Sequence, residues 1–336
     1  MRKYYIIASL VLGLATRGLL AQDTFSIVAV DSLTGEVGSA GASCISADNL
    51  QLFFPGIDPD FLGDLLPGRG AINTQSFYLE VNQVNARERL LAGDTPEEVI
   101  AWLQANDAQG NPTQRQYGVV ALQNGSPQAA AFTGANCFDW KGHRTGANYS
   151  IQGNILLGQE ILDSMEARFL NTPGCLSDKL MAAMQGAKVP GADTRCLGNG
   201  SSSMFAFIKV AKPDDEPESP SLRLFVSYNP VGIEPIDSLQ AIYDLAAPCL
   251  VNTADKTFSF TFSAAPNPST GEIALQFPAA VGAVKLEVLD LQGRVLRTFP
   301  RVFPGELLQI SHSGMVVLRA TDRSGRSNVQ MLQLNR

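Results

Sequence analysis

The chain has 336 residues, 45% of them hydrophobic and 17% charged, with a formal net charge of −7. That length and balance admit two packed domains and exclude a disordered polyelectrolyte. The acidic surplus, with Lys and Arg scattered rather than clustered, leaves a nucleic-acid role without an electrostatic footprint. At the start, Arg2 and Lys3 precede an apolar run from Tyr4 to Leu14, and Leu19-Leu20-Ala21 ends it on a small residue, the pattern of a signal peptide over 1–21. The run is too short to cross a bilayer, and no later stretch is long and apolar enough, so an exported protein without a transmembrane segment is expected.

The first strand follows almost at once. Thr24-Phe25-Ser26-Ile27-Val28-Ala29-Val30 and Glu36 to Ser43 flank Asp31-Ser32-Leu33-Thr34-Gly35, a turn-forming stretch that predicts an antiparallel hairpin. A loop rich in Pro, Gly and Asp runs to about Gly70, then a short strand near Ala71 to Gln75 and a helix from Tyr78 to Leu91. The next helix has a start signal in Asp94-Thr95-Pro96-Glu97-Glu98: Asp94 or Thr95 to cap, a proline at the first turn and carboxylates at the positive end of the dipole. Strands are predicted at Gln116 to Leu122 and Gln128 to Phe132, joined through Asn124-Gly125, and at Tyr149 to Leu156. Helices near Gln159 to Leu170 and Ser177 to Gln185 come next. Strands near Ser203 to Val210 and Leu222 to Tyr228 and a helix near Ile236 to Leu245 complete the region. Strand pairs alternating with helix pairs predict an α+β fold: two antiparallel sheets face to face with helices on their outer faces, an αββα sandwich of four layers.

Five cysteines, Cys44, Cys137, Cys175, Cys196 and Cys249, allow at most two intrachain bridges in an oxidising compartment. Cys175 and Cys196 bracket the helix-like run Leu176 to Ala187 and its Pro190-Gly191 return, and are the expected pair. Closing that loop would contribute roughly 3 kcal/mol in the chain-entropy model. Metal ligation has little support, because no Cys-x-x-Cys pair is present and His143 and His312 are the only histidines. Asp58, Asp60 and Asp64 lack the spacing and glycine of an EF-hand loop, and the acidic, proline-flanked stretch 213–220 reads as a solvated loop.

Chemistry centres on Thr24. A hydroxyl residue heading the first strand of a mature chain is the arrangement of an N-terminal nucleophile, whose oxygen attacks an amide while its own α-amine takes the proton. Cleavage after Ala21 leaves Gln22 and Asp23 in front, so Asp23-Thr24 would be a second scissile bond. The alternative is that Thr24 simply begins an edge strand. Asn154, an amide at a strand end beside a glycine, is a candidate donor to a developing oxyanion or a turn-forming residue. His143, in the loop signal Trp140-Lys141-Gly142-His143-Arg144-Thr145-Gly146, is a candidate polarising group or general base; no Gly-x-Ser-x-Gly elbow accompanies it. Nucleotide, dinucleotide and zinc-protease motifs are absent, so no cofactor is implied.

Several ordered blocks resemble one family: Thr24 to Asp31 with Thr34-Gly35-Glu36-Val37-Gly38, Ala131-Phe132-Thr133-Gly134-Ala135-Asn136-Cys137, Trp140-Lys141-Gly142-His143 and Tyr149 to Leu156. They are similar to the domain of unknown function 1028 family over roughly Thr24 to Cys249. That family resembles N-terminal-nucleophile hydrolases with an αββα sandwich, and the resemblance carries no established reaction or substrate. In asparaginase-like members of that superfamily an Asp can precede the nucleophilic Thr at the self-cleaved bond, and some members place a lysine near the nucleophile, which this chain lacks between Lys3 and Lys141.

Ala265-Pro266-Asn267-Pro268-Ser269-Thr270-Gly271, Val284 to Leu296 and Ser313 to Ala320 resemble a second family, the C-terminal sorting domain of the type IX secretion system. Short alternating strands parted by Asn-Pro, Gly and Ser-Gly turns also predict a small β-sandwich there. The resemblance implies the type IX export machinery as partner and a surface or secreted destination, reached through the periplasm. The expected organisation is therefore 1–21 signal, 22–252 hydrolase-like domain, 253–261 linker and 262–336 sorting sandwich. Two functions stay open: an amidohydrolase acting on an unknown small-molecule or peptide substrate, and a catalytically silent binding protein of the cell surface.

Overall fold

A computed structural model describes residues 24–227, 230–246, 248–249, 261–291, 293–323 and 327–335. The segment read as a signal peptide, Gln22, Asp23 and residues 253–260 of the expected linker lie outside them. Among the described residues no helix is long and apolar enough to cross a membrane.

Strands β1 (Thr24–Val30) and β2 (Val37–Ser43) form the predicted hairpin, in register from Thr24 opposite Ser43 to Val30 opposite Val37. Its turn holds because Asp31 Oδ1 and Thr34 Oγ1 accept from the backbone at Leu33 and Glu36, and Gly35 takes φ +76°. Both strands are buried along their whole length. Next come α1 (Ala47–Phe53), β3 (Gly63–Leu66) and β4 (Gly70–Gln75), then α2 (Glu80–Leu91) and α3 (Pro96–Ala105). Helix α3 starts on a full capping box, with Thr95 and Glu98 each bonded to the other's backbone N–H.

Strands β5 (Gln116–Gln123) and β6 (Ser126–Thr133) meet at Asn124 and Gly125, both at positive φ, as an Asn-Gly turn requires. Then follow β7 (Gly142–Thr145), β8 (Tyr149–Gly153), α4 (Gln159–Asn171), α5 (Leu176–Gly186), β9 (Phe205–Ala211), β10 (Leu222–Val226) and α6 (Pro235–Ala246). The remaining strands are β11 (Ser263–Ala265), β12 (Glu272–Gln276), β13 (Val284–Leu289), β14 (Val295–Val302), β15 (Leu307–Gln309), β16 (Gly314–Thr321) and β17 (Ser327–Leu334).

The four-layer αββα sandwich expected from the sequence is corrected. The strands build four antiparallel sheets, ordered β10-β9-β2-β1-β8-β7, β3-β4-β5-β6, β11-β12-β15 and β14-β13-β16-β17, and strands predominate over helices. The first two sheets do face each other, β1 lying against β4 and β5, and β2 against β3 and β4. Helical cover is uneven. Helices α2 and α3 pack on β4, β5 and β6, and α4 and α5 on the six-stranded sheet, but α6 divides its contacts among β9, β10 and β17. One apolar cluster accordingly runs from Phe25, Ile151 and Leu180 through Leu239 to Val317 and Met331 of the late strands. The helix layer is thus shared with a further sheet, α6 burying Ile236, Leu239, Ile242 and Tyr243 where it packs on β9, β10 and β17.

The expected Cys175–Cys196 bridge is corrected as well. Cys44 pairs with Cys196 and Cys175 with Cys249, while Cys137 stays outside both bridges, buried, its Sγ donating to the Arg115 carbonyl at 3.3 Å. Helix α5 has 11 residues and is therefore about 16 Å long, which carries Cys175 at its start away from the turn of Cys196 beyond its end. Sequence adjacency was the wrong guide. Cys196 instead lies beside the end of β2, and Cys175 beside the residues after α6.

Candidate active site

The layer between the two facing sheets changes character along its length. At the hairpin-turn end it is apolar: Val28, Val30, Val37, Leu65, Ala71, Val120 and Ala211. Toward the Thr24 end it fills with side-chain amides and hydroxyls, all buried. Ser26 donates to Gln75 Oε1 at 2.5 Å and accepts from Gln152 Nε2 at 2.6 Å. Gln152 Oε1 accepts from Ser150 at 2.9 Å, and Ser39 donates to Asn73 at 2.6 Å. Their burial is offset largely by bonds to one another, while Asn73 Nδ2 and Asn154 Oδ1 have no partner among the described residues. Gly118 makes room: a Cβ there would stand 2.0 Å from Gln152 Oε1 and 2.8 Å from Ser150 Oγ.

Thr24 is fully buried at the head of β1. Its carbonyl accepts twice, from Gln75 Nε2 and from the backbone N–H of Asn154, both at 3.1 Å. Gln75 Nε2 also donates to Gln116 Oε1 at 2.7 Å, and Asn154 Nδ2 donates to the same oxygen at 3.0 Å. Gln116 Nε2 reaches the Gly153 carbonyl at 2.8 Å, Thr133 Oγ1 at 2.9 Å and the Gly142 carbonyl at 3.0 Å. Gln75, Gln116 and Thr133 stand opposite one another across β4, β5 and β6, so one row of the four-stranded sheet supplies the whole relay.

Strain flanks both residues that hold the Thr24 carbonyl. Ser76 and Phe77, after Gln75, have φ +56° and +53°, and Ile155, after Asn154, has φ +53°. A β-branched residue in that region is an outlier, and such strain concentrates where a side chain must be aimed. The surroundings hold it in place. The Arg115 guanidinium donates to the Phe77 carbonyl and pairs with Asp107 at 2.8 Å, and Ile155 is tied through its carbonyl to the Thr194 N–H at 3.0 Å. Burial pushes the Asp107 carboxyl up, but Arg115, Asn82 and the N–H groups of Asn111 and Gln109 outweigh it and hold it below the usual carboxylate range.

Among the sequence candidates, Thr24 and Asn154 are brought together directly. His143 is in β7, which sequence reasoning had read as a loop, and its Nδ1 lies 2.8 Å from Thr133 Oγ1. Thr133 Oγ1 accepts from Gln116 and, with a second lone pair and its own proton, can pair with either tautomer of His143 at Nδ1. Burial, and then the charge of Arg144, lower the His143 pKa from its ordinary value of 6.5. The imidazole therefore favours its neutral form, and hydrogen bonds run from it through Thr133 and Gln116 to Gln75 and Asn154, both of which hold the Thr24 carbonyl. Sequence reasoning missed Gln75, Gln116, Gln152 and Ser26; their signal was a polar residue at inward-facing positions of otherwise apolar alternation.

The loop beside Ser43 is fixed from the other side. Asp193, fully buried, accepts from the Cys44 N–H at 2.9 Å and pairs with Arg195 at 2.7 Å, next to the Cys44–Cys196 bridge. A cavity of about 660 Å³ opens elsewhere, between β3 and the β9–β10 edge, lined by Asp60, Asp64, Tyr78, Arg87, Lys209 and Arg223. Its carboxylates meet cations: Asp64 pairs with Arg87, and Asp60 with Lys209 at 3.2 Å and Arg223 at 2.7 Å. Thr24 does not line it.

A family model described as a family of unknown function, DUF1028, matches residues 24–235. The chain belongs to this family. The match begins at Thr24 and takes in the hairpin, the amide relay and the strained residues after Gln75 and Asn154. A crystal structure of another DUF1028 protein, from Silicibacter pomeroyi, is 26% identical with a TM-score of 0.51; the alignment covers 67% of this chain and 89% of that one. No curated protein matches the chain.

Proposed function

We propose that this DUF1028 protein is an exported amidohydrolase whose nucleophile is Thr24, exposed as an N-terminal residue when the Asp23–Thr24 bond is cut. The observation that carries this is the double hold on the Thr24 carbonyl by Gln75 and Asn154 at a buried, polar strand end. A new chain terminus ordinarily frays. Two hydrogen bonds on its carbonyl and the pairing of residue 24 with Ser43 keep it in place. The Thr24 oxygen would add to the substrate carbonyl as its proton passes to the α-amine, and the Asn154 carboxamide nitrogen, with one N–H given to Gln116, has a second for the oxyanion. His143 takes a supporting place, holding Thr133 and through it Gln116.

The proposal extends to export. The signal-like 1–21 segment and the sorting-type strands of 262–336 support passage through the periplasm and delivery to the surface or medium by the type IX machinery, with the hydrolase region at 22–252. Two disulfides suit an oxidising destination. Deleting residues 262–336 tests that route: the truncated protein should stay in the periplasm. Its appearance outside at the full-length level would refute the sorting role.

The deciding experiment for the chemistry is a screen of peptide, acyl-amide and cell-wall amide substrates with the wild type, Thr24→Ala and Thr24→Ser. Hydrolysis should be lost in the first variant and partly kept in the second, which retains the hydroxyl. Equal rates in wild type and Thr24→Ala would remove Thr24 from the mechanism. The position of the 660 Å³ cavity away from Thr24 favours a second function, a surface protein that binds a ligand without turning it over.

A further inference from the structure

Asn154 Oδ1 is a buried acceptor with no partner among the described residues. Its orientation is forced by the groups around it. The carbonyls of Gly142 and Gly153 can only accept, so the Gln116 atom that meets both must be the amide nitrogen. Gln116 Oε1 then faces Gln75 and Asn154, and each must present its own nitrogen. The Thr24 carbonyl imposes the same choice on Gln75 independently. With its nitrogen committed to Gln116, Asn154 is left holding out an oxygen that asks for a donor, while its backbone N–H sits on the Thr24 carbonyl.

Processing creates a donor at the head of β1, on the residue whose carbonyl the Asn154 backbone N–H already holds. Cutting the Asp23–Thr24 bond replaces one peptide N–H of residue 24 by an α-amine with additional N–H groups. We propose that Asn154 Oδ1 receives the α-amine of mature Thr24, and that Gln116 and Gln75 are positioning residues that lock the Asn154 carboxamide in this acceptor orientation. The proposal rests on Thr24 being the N-terminal nucleophile. With one N–H of the neutral amine held by Oδ1, the nitrogen lone pair is left for the Thr24 hydroxyl. The proton then moves from Oγ to that nitrogen as the Oγ–carbon bond forms, and the carbonyl π pair moves onto the substrate oxygen.

The test reads the α-amine rather than turnover, so it needs no substrate. N-terminal sequencing first establishes whether the purified wild type begins at Thr24; any other N-terminus overturns the nucleophile and this proposal together. Where Thr24 is the N-terminus, the pH dependence of its acetylation by acetic anhydride, followed on the N-terminal peptide by mass spectrometry, gives the amine pKa in wild type, Asn154→Asp, Asn154→Leu and Gln116→Leu. A carboxylate at 154 should raise it by about one unit, and loss of the acceptor should lower it. Gln116→Leu, which leaves residue 154 intact, should also lower it by releasing the lock. Asn154→Asp is nearly isosteric and serves if the leucine variants fail to fold. Equal amine pKa values in wild type and Asn154→Asp, or shifts of the same sign for Asp and Leu, would overturn the assignment while leaving Thr24 as nucleophile.

Discussion

The two ends of the inter-sheet layer are built from the same pair of sheets by opposite means. Around Val28, Val37 and Val120 the sheets are held by apolar contact, which is non-directional and tolerates small shifts. Around Ser26, Gln75, Gln116 and Asn154 they are held by directed hydrogen bonds, each of which fixes the next side chain. The apolar end supplies cohesion and the polar end supplies aim. A core made only for stability would not place five carboxamides, those of Gln75, Gln116, Gln152, Asn154 and Asn73, between its sheets, since an unmatched one costs about 1–3 kcal/mol.

The largest effect should come from releasing the loop beside Thr24. The Cys44–Cys196 bridge spans a separation of 152 residues, and Cys44→Ser should lower stability by roughly 3–5 kcal/mol in the chain-entropy model, read from urea unfolding of the oxidised protein. A loss no greater than that of an exposed Ser substitution would show that the bridge does not brace the polar end.

Gln116→Leu sharpens the comparison directly. It strands the carbonyls of Gly142 and Gly153 and the partners Gln75 and Asn154, so a loss of about 3 kcal/mol is expected together with slower processing at Thr24. Val120→Ala, at the apolar end, should cost about 2 kcal/mol and leave processing intact. Processing slowed in both, or in neither, would erase the distinction between the ends. Gly118→Ala is expected to fall between wild type and Gln116→Leu, at about 1–3 kcal/mol, because its methyl group meets the Gln152 amide.

The smallest effect concerns pH. His143 is held below its ordinary pKa of 6.5 by burial and by Arg144, so the folded state prefers the neutral ring. The stability linked to that preference is present above pH 6.5 and is lost as pH falls through the lowered folded value, since the unfolded chain binds the proton first. His143→Gln should flatten the stability profile below pH 6.5 and leave it unchanged above. An unaltered slope in thermal melts across that range would mean that His143 stays solvated and apart from the relay.

Much of the local structure was legible. The β1–β2 turn, the start of α3 around Thr95-Pro96 and the Asn124-Gly125 hairpin are short-range signals, each set by residues a few positions apart. Helix α1 and strands β3 and β7 were not legible, because seven- and four-residue elements in Gly- and Pro-rich surroundings are decided by the partner they pair with. Cysteine pairing and the sharing of α6 between sheets depend on contacts far apart in sequence, and periodicity carries no such information. Thr24 and Asn154 could be singled out from their strand-end positions. The glutamines between them could not, since a lone buried amide acquires meaning only when its partners across the sheets are known.

The central claim is that residue 24 is held for use as a chain terminus, and intact-mass measurement of the purified protein with N-terminal sequencing tests it most directly. The wild type should begin at Thr24, and Thr24→Ala should retain Gln22 and Asp23. A wild type that begins at Gln22, or a Thr24→Ala protein cut at the same bond as efficiently, would contradict it.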